Sequence, residues 1–410
     1  MFIKGSGKRK INRGTIAMNA EKMGISNRKA VFQLIRRRPN ISRKELAKFT
    51  GLDPSTITRI IAFFLEQGFV MESGVNRSEM PGRSSIRLAV VKEAVSSFIV
   101  SLGVEKTIIA LGFLDHSLKP VEEFPTPASF DIFIEKLISS LKHHYYQNPI
   151  KERILGISLS VPGMVDRKRC AVYSLPHLGW VNIDFRQLIS EGLPELPIKV
   201  FAANEAQLSL MAERYFNSSL GRFQNGVYMF LSQGIGGALL MDGSLYLGNT
   251  CSAGEIGHMS ILNEGKLCHC GNRGCLETVA SVEPIVDFYE EKANRLSGTN
   301  YIDKFSELLK LFGEKDPDAV RALYVMQDYF LIGITNLINV LNPEFLMVGG
   351  MGHDIPIQWF ETLLKRVKEK ALSCAVENFR ILPSSFDITR STLLGCELLA
   401  MDYFTDNLIR

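Results

Sequence analysis

Apolar positions recur at helical spacing in three short stretches near the start of the chain. In NRKAVFQLIRRR, Val31, Leu34 and Ile35 fall on one face, and Pro39 stops the helix. SRKELAKFTG opens with Ser42 and Glu45 in the S-x-x-E pattern, in which each side chain satisfies a free amide at the helix start. Gly51 then permits a tight turn. Asp53 caps a third helix with Pro54 in its first position, and Ile57, Ile60, Ile61, Phe64 and Leu65 form its apolar stripe. Three short helices joined by that turn predict a helix-turn-helix. Two strand-like pieces in GFVMESGVNRSEMPGRSSIRLAV, around a tip containing Gly, Asn and Pro, predict the wing of a winged helix.

From about residue 97 the pattern changes to strands alternating with helices. SSFIVSLGVEKTIIALGFLD holds two β-rich runs, and RILGISLSVPG is a buried strand ending in a Pro-Gly loop. LPIKVFAANEAQLSLMAERYF is a strand entering a helix, and GVYMFLSQGIGGALLMDG is a Gly-linked strand pair. LIGITNLINVLNPEFLMVGGMG is a helix followed by a strand that closes on a double glycine. This alternation predicts an α/β body with ligand loops at the strand ends. The expected division is a basic tail over 1–24, a winged helix-turn-helix over 25–95, α/β lobes over 96–205 and 206–385, and a C-terminal helix over 386–410 that returns to the first lobe.

With 410 residues the chain exceeds one comfortable core, in keeping with several domains. The longest uncharged run, Phe223 to Met241, is broken by polar residues and four glycines, so neither a membrane span nor a secretory signal is expected. Charge divides the chain sharply. Residues 1–91 carry 18 Lys and Arg against 6 Asp and Glu, whereas the remaining 319 carry 29 against 37. The basic end and the acidic body therefore suit different partners. On the third helix Ser55, Thr56 and Arg59 lie near the N-terminal end that enters a major groove, and Arg77, Arg83 and Arg87 in the wing are placed for phosphate or minor groove. The expected partner is double-stranded operator DNA; the alternative is a basic three-helix module that binds protein.

Seven cysteines, three of them crowded together, fit a reduced cytoplasmic setting with a metal site better than a disulfide framework. Cys268, Cys270 and Cys275 have the spacing C-x-C-x4-C, and His258 lies ten residues earlier. Three thiolates and one imidazole make a closed tetrahedral set suited to structural Zn2+, with Gly271 and Gly274 letting the chain fold back. His269 is the rival nitrogen ligand.

GEIGH (254–258) and CHCGNRGCLE (268–277) resemble the zinc signature of the ROK family, which comprises sugar kinases and sugar-responsive repressors. VPGMV (161–165), NEAQ (204–207), SQGIGGALLMDGSLYLG (232–248) and NPEFLMVGG (342–350) are weaker matches, and the winged helix in front resembles the repressor branch. The resemblance implies a two-lobed actin-like (ribonuclease H-like) sugar-kinase fold behind the winged helix-turn-helix. It also implies a sugar or polyol site at Gly163, Asn204, Glu205, Glu255, His258 and Glu277, with His258 serving both metal and sugar. Carboxylates suit such ligands because each oxygen accepts charge-assisted hydrogen bonds from hydroxyls.

Five departures from the kinase pattern, in three places, argue against phosphoryl transfer. In place of the first phosphate motif, D-x-G-G-T, stands SLGVE, with Ser101 and Val104 where Asp and Gly belong. The second, G-T-G-x-G-G, appears as SQGIGG, with Ser232 and Gln233 replacing Gly and Thr. Glu205 occupies the position of the general-base Asp, and its extra methylene shifts the carboxylate by about 1 Å, a misplacement that can cost about 100-fold. The expectation is a homodimeric or tetrameric DNA-binding repressor that senses a sugar or polyol and has no catalytic residue; the alternative is a sugar kinase.

Overall fold

The computed structural model describes residues 13–76, 85–196, 198–407 and 409. The chain divides into two compact units, one formed by Met1–Ser96, Phe113–Ser117 and Met401–Arg410, the other by Ser97–Gly112 and Leu118–Ala400.

The first unit is a winged helix-turn-helix built by local signals. It contains α1 (Arg13–Arg37), β1 (Ile41–Ser42), α2 (Arg43–Thr50), α3 (Pro54–Glu66), β2 (Val70–Asn76) and β3 (Ser85–Val90). Helix α1 starts at Arg13, so half of the stretch expected as tail is helical; residues 13–24 contain no proline to stop it. The capping box at α2 is complete: Glu45 N–H donates to Ser42 Oγ at 3.3 Å, and Ser42 N–H donates to Glu45 Oε2 at 2.9 Å. Gly51 ends α2 in the left-handed region, φ 68°, where its N–H reaches Ala47 O. Asp53 Oδ1 accepts from Ser55 N–H at 2.8 Å and sets the start of α3. Ile57, Ile60, Ile61 and Phe64 are buried, as the stripe predicts. Phe32 of α1 packs on Phe64, and Phe404, from the last segment of the unit, closes the same core with its ring 5.7 Å from Phe32 and 5.1 Å from Phe69. Arg36 donates from Nε to Leu114 O at 2.9 Å, and Lys29 pairs with Asp406. The domain is thus completed by two distant pieces of chain.

The second unit holds β4 (Ser96–Leu102) through β16 (Arg380–Pro383). One five-stranded sheet has the order β11-β7-β4-β5-β6, comprising Lys199–Asn204, Ile154–Val161, β4, Lys106–Phe113 and Leu118–Pro125. The other has the order β14-β13-β12-β15-β16, comprising Ser244–Tyr246, Ile235–Met241, Gly226–Leu231, Phe345–Gly350 and β16. Each sheet places its third, second, first, fourth and fifth strands side by side in the same sequence, and in each the fifth strand runs parallel to the fourth. The chain therefore uses one topology twice, the mixed α/β body expected from the resemblance. A small sheet, β8 (Met164–Asp166), β9 (Ala171–Leu175) and β10 (Trp180–Asp184), is inserted after β7.

Helices cover both large sheets. They are α4 (Phe130–Gln147), α5 (Phe185–Gly192), α6 (Glu205–Phe216), α7 (Glu277–Ala280), α8 (Val282–Ala293), α9 (Tyr301–Gly313), α10 (Pro317–Leu341), α11 (Ile357–Lys370), α12 (Ser373–Val376) and α13 (Ile388–Asn407). The main core joins Met229 and Leu231 of β12 and Leu346 and Val348 of β15 to Met326, Phe330 and Ile334 of α10. A smaller core packs Leu393, Cys396 and Leu399 of α13 against Ile99, Ala203 and Leu208, and Ser209 Oγ donates to Ser391 Oγ at 3.0 Å. Each large side chain fully buried in these cores contributes about 1.5–3 kcal/mol. Helix α6, which begins at Asn204 and Glu205, is held between this core and β13.

Candidate metal and ligand site and candidate DNA face

The segment from Glu255 to Glu277 folds back on itself through two isolated bridges, Ser260 to Cys275 and Leu267 to Arg273. Gly274 makes the reversal possible: it adopts φ 69°, and a Cβ there would lie 2.0 Å from Leu262 O. The reversal brings His258 Nδ1 to 3.6 Å from Cys268 Sγ, and Cys270 Sγ to 3.7 Å from Cys275 Sγ. All four ligand atoms of His258, Cys268, Cys270 and Cys275 lie within 4.8 Å of one another. Tetrahedral zinc, with bonds of about 2.3 Å to sulfur and about 2.0–2.1 Å to nitrogen, requires separations of about 3.5–3.8 Å along such edges. The donor set therefore fits a metal of that kind. A second set, His258, Cys268, His269 and Glu277, overlaps it. His269 turns onto Glu277, with Nδ1 3.3 Å from Oε1.

The carboxylates expected to hold a ligand border this cluster. Glu277 sits at the start of α7 and is nearly buried; its Oε2 accepts from Ile235 N–H at 3.2 Å, and its Oε1 faces Cys268 Sγ at 3.5 Å. Glu255 Oε2 stands 4.0 Å from His258 Nε2, and His258 Nδ1 stands 4.0 Å from Glu277 Oε1. Burial, and then the charge of Glu277, push the Glu255 carboxyl up to about 7. Glu255, His258 and Glu277 are thus brought together, with His258 between the two carboxylates.

Asn204 and Gly163 form a second group. Asn204 Oδ1 caps α6 by accepting from Ala206 N–H at 2.8 Å, while Nδ2 donates to Gly163 O at 2.9 Å. One Nδ2 hydrogen of Asn204 is left for a ligand. Gly163 is required by packing, since a Cβ would meet Ser174 O at 2.3 Å. Glu205 follows in the first turn of α6, and burial alone raises its carboxyl to about 8, so it is mostly protonated at neutral pH.

Around this site lie His177, which sequence reasoning did not select, and residues of the two altered phosphate motifs. His177, in the turn Pro176–Leu178, has its ring centroid 5.6 Å from that of His269. A Cβ on Gly234 would meet Glu277 Oε2 at 2.4 Å and His177 Nε2 at 3.1 Å. Gln233 donates from Nε2 to Glu105 Oε1 at 3.4 Å, and Ser101 Oγ lies 3.3 Å from Thr392 Oγ1. Burial and the nearby Asp303 raise the Glu105 carboxyl. The only sequence signal for His177 is a proline-opened, glycine-closed turn, PHLG, which marks the turn and not its role.

In the winged helix, Ser55 and Arg59 are exposed near the start of α3 and Thr56 is half-buried. Thr58, not selected from the sequence, is exposed beside Arg59, and Lys44 and Lys48 are exposed on α2. Arg77 and Arg83 lie outside the described residues. Arg87 of the expected wing has partners within the domain: its NH1 bonds Glu45 Oε2 at 2.7 Å and Asn40 O at 3.1 Å. Pairing with the Glu of the capping box ties Arg87 to the start of α2. Among the described residues no helix is long and apolar enough to cross a membrane.

Comparison with known proteins agrees with both halves. The ROK family profile matches residues 98–402, and a winged helix-turn-helix DNA-binding profile matches residues 26–71. The xylose repressor of Bacillus subtilis is 27% identical over 389 residues, covering 93% of this chain and 96% of its own. The N-acetylglucosamine repressor of Escherichia coli O157:H7 is 24% identical over 371 residues, covering 88% and 89%. Among solved structures, a ROK family transcriptional regulator described as a homolog of the E. coli MLC protein superposes with TM-score 0.75 at 24% identity, covering 94% of this chain and 98% of that one. A ROK family glucokinase from Streptomyces griseus, solved with glucose and AMPPNP, superposes with TM-score 0.61 at 19% identity, covering 75% and 99%.

Proposed function

Since the chain belongs to the ROK family and carries a winged helix-turn-helix in front of the family domain, we propose that it is a sugar-responsive, DNA-binding transcriptional repressor acting in the cytoplasm. The observation that carries this reading is the two-part architecture matched nearly end to end by named repressors. The winged helix binds operator DNA through Ser55, Thr56, Thr58 and Arg59, with Arg77 and Arg83 of the wing and Lys44 and Lys48 contributing charge. The protein works as a homodimer or tetramer, because two readers on one duplex need a fixed spacing that a ligand can alter.

The effector is a sugar or polyol held by Glu255, His258 and Glu277, with Asn204, Glu205 and the Gly163 loop closing the other side. Acceptor-rich carboxylates orient hydroxyl donors, and the protonated Glu205 adds a donor of its own. Zinc is held by His258, Cys268, Cys270 and Cys275; bound there it supplies a structural crosslink with no vacant position for chemistry. Because one ring nitrogen of His258 faces the thiols and the other faces Glu255, the metal set fixes the orientation of the sugar site.

The glucokinase-like fold favours sugar phosphorylation as the second reading. Against it stand Glu205, a poor base while it carries its proton, and the Gln233–Glu105 contact, which places a carboxylate beside the loop where phosphate binds in the kinases. The test is DNA retention on sequences selected from random duplexes by the protein itself, with and without D-xylose, D-glucose or N-acetyl-D-glucosamine. Salt-dependent binding that one sugar changes by tenfold or more, and that Glu255→Ala renders unresponsive, supports the repressor. Failure to select any duplex, or release of ADP in the presence of a sugar, overturns it.

A further inference from the structure

The strongest unassigned feature is the imidazole of His177. It reaches the candidate ligand site from the inserted small sheet, with its ring centroid 5.6 Å from that of His269 in the zinc loop. Leu175 is buried just before it; Pro176 opens its turn, and Gly179 closes the turn at φ 69° with its N–H on Pro176 O. Trp180 then anchors the chain by donating from Nε1 to Ala128 O at 3.0 Å. The same sheet receives the Gly163 loop, whose close approach to Ser174 O leaves no room for a side chain. His177 is therefore held on a rigid support, yet its side chain is open to solvent.

Its Nε2 converges with Glu277 Oε2 over the face of Gly234, where the two groups take the space that a side chain on that residue would need. Glu277 is already committed elsewhere: Oε1 faces His269 and Cys268, and Oε2 accepts one bond from Ile235 N–H. A carboxylate oxygen accepts more than one hydrogen bond, so Oε2 keeps an acceptor position beside His177.

We infer that His177 is a specificity-determining ligand contact, which together with Glu277 selects an effector carrying a free hydroxyl at one ring position. That hydroxyl donates to Glu277 Oε2 and accepts from the His177 Nε2–H. A sugar that is deoxygenated, or acylated on oxygen or nitrogen, at this position loses the pair and, if acylated, also meets the wall at Gly234. The assignment rests on the sugar-sensing reading.

The experiment is calorimetric titration of the zinc-loaded full chain with D-xylose, D-glucose and N-acetyl-D-glucosamine, then with the monodeoxy analogues of whichever binds. The same series is run on His177→Ala and His177→Asn, with zinc content and melting temperature measured alongside. We expect His177→Ala to weaken the sugar by roughly ten- to a hundredfold, the loss of one well-placed hydrogen-bond partner, with zinc content unchanged. One deoxy analogue should bind wild type weakly and lose no further affinity in His177→Ala, which a merely structural role would not produce. Equal affinities in wild type and His177→Ala, or no deoxy analogue whose penalty disappears in the variant, overturn the assignment while leaving the sugar reading intact. Absence of binding by wild type to all three sugars overturns both.

Discussion

Gln233 Nε2 donates to Glu105 Oε1, so a residue of the β12–β13 turn touches one of the β4–β5 turn across 128 positions of chain. Both turns occupy the places of phosphate-binding loops in the kinase branch that the sequence resembles. Here an amide and a carboxylate meet instead, and burial, then the nearby Asp303, raise the proton affinity of Glu105. Negative charge at this position opposes a triphosphate.

Magnesium-ATP is therefore expected to leave the melting temperature unchanged at millimolar concentration, with or without sugar. Differential scanning fluorimetry checks this, since any ligand preferring the folded state raises the midpoint by mass action. A reproducible upward shift with ATP would sink the idea and reopen the kinase reading.

Cys275→Ser removes a fully buried thiol from the candidate zinc set. The purified variant should lose most of its zinc, and its sugar affinity should fall by about 10- to 100-fold because His258 is no longer held in place. Metal content by mass spectrometry and sugar titration provide the readouts. Normal sugar affinity in a zinc-free variant would uncouple the two sites.

Glu205 gives a pH dependence with a definite sign. Its carboxyl sits at about 8 in the folded protein against an ordinary value of 4.5, so the folded state binds the proton more tightly than the unfolded chain. The contribution to stability is complete below about pH 4.5 and is lost as pH rises through about 8. Glu205→Gln removes that loss, and its stability relative to wild type should climb from pH 5.5 to about pH 8 and level off above it in urea titrations. A difference independent of pH would show that Glu205 is not held in its protonated form.

Two arginines of the winged helix should behave differently. Arg59→Ala is expected to weaken selected DNA by about 1–3 kcal/mol if the side chain reads a base edge. Arg87→Ala should lower the stability of the domain by about 1 kcal/mol through loss of its bond to Glu45, with little change in the salt dependence of DNA binding. Anisotropy titrations at several salt concentrations, paired with thermal unfolding, separate the two effects; a steeply reduced salt slope in Arg87→Ala would return that residue to the DNA.

Local signals were the legible ones. Ser42 with Glu45, Gly51, and Asp53 with Pro54 each act within four residues, and they form the caps and turn that their spacing predicts. The cysteine spacing likewise encodes its own cluster, because one hairpin-like reversal closes it. Contacts between distant segments were not legible. Nothing near Arg87 announces Glu45, 42 positions away, and a basic residue in a wing reads as a phosphate contact until its partner is seen. His177 and Glu277 are likewise separated by a long stretch of chain, and only the folded sheets bring them together over Gly234. Helix α1 was underestimated because a basic, weakly amphipathic stretch resembles a tail by composition.

The repeated strand order has a consequence for how this molecule changes over time. The β4–β5 and β12–β13 turns are the same connection in each copy of the topology, between first and second strands. Glu105 and Gln233 are thus counterparts that meet, like paired residues across the axis of a dimer fused into one polypeptide. A substitution in either turn therefore alters the surroundings of its counterpart in the other copy.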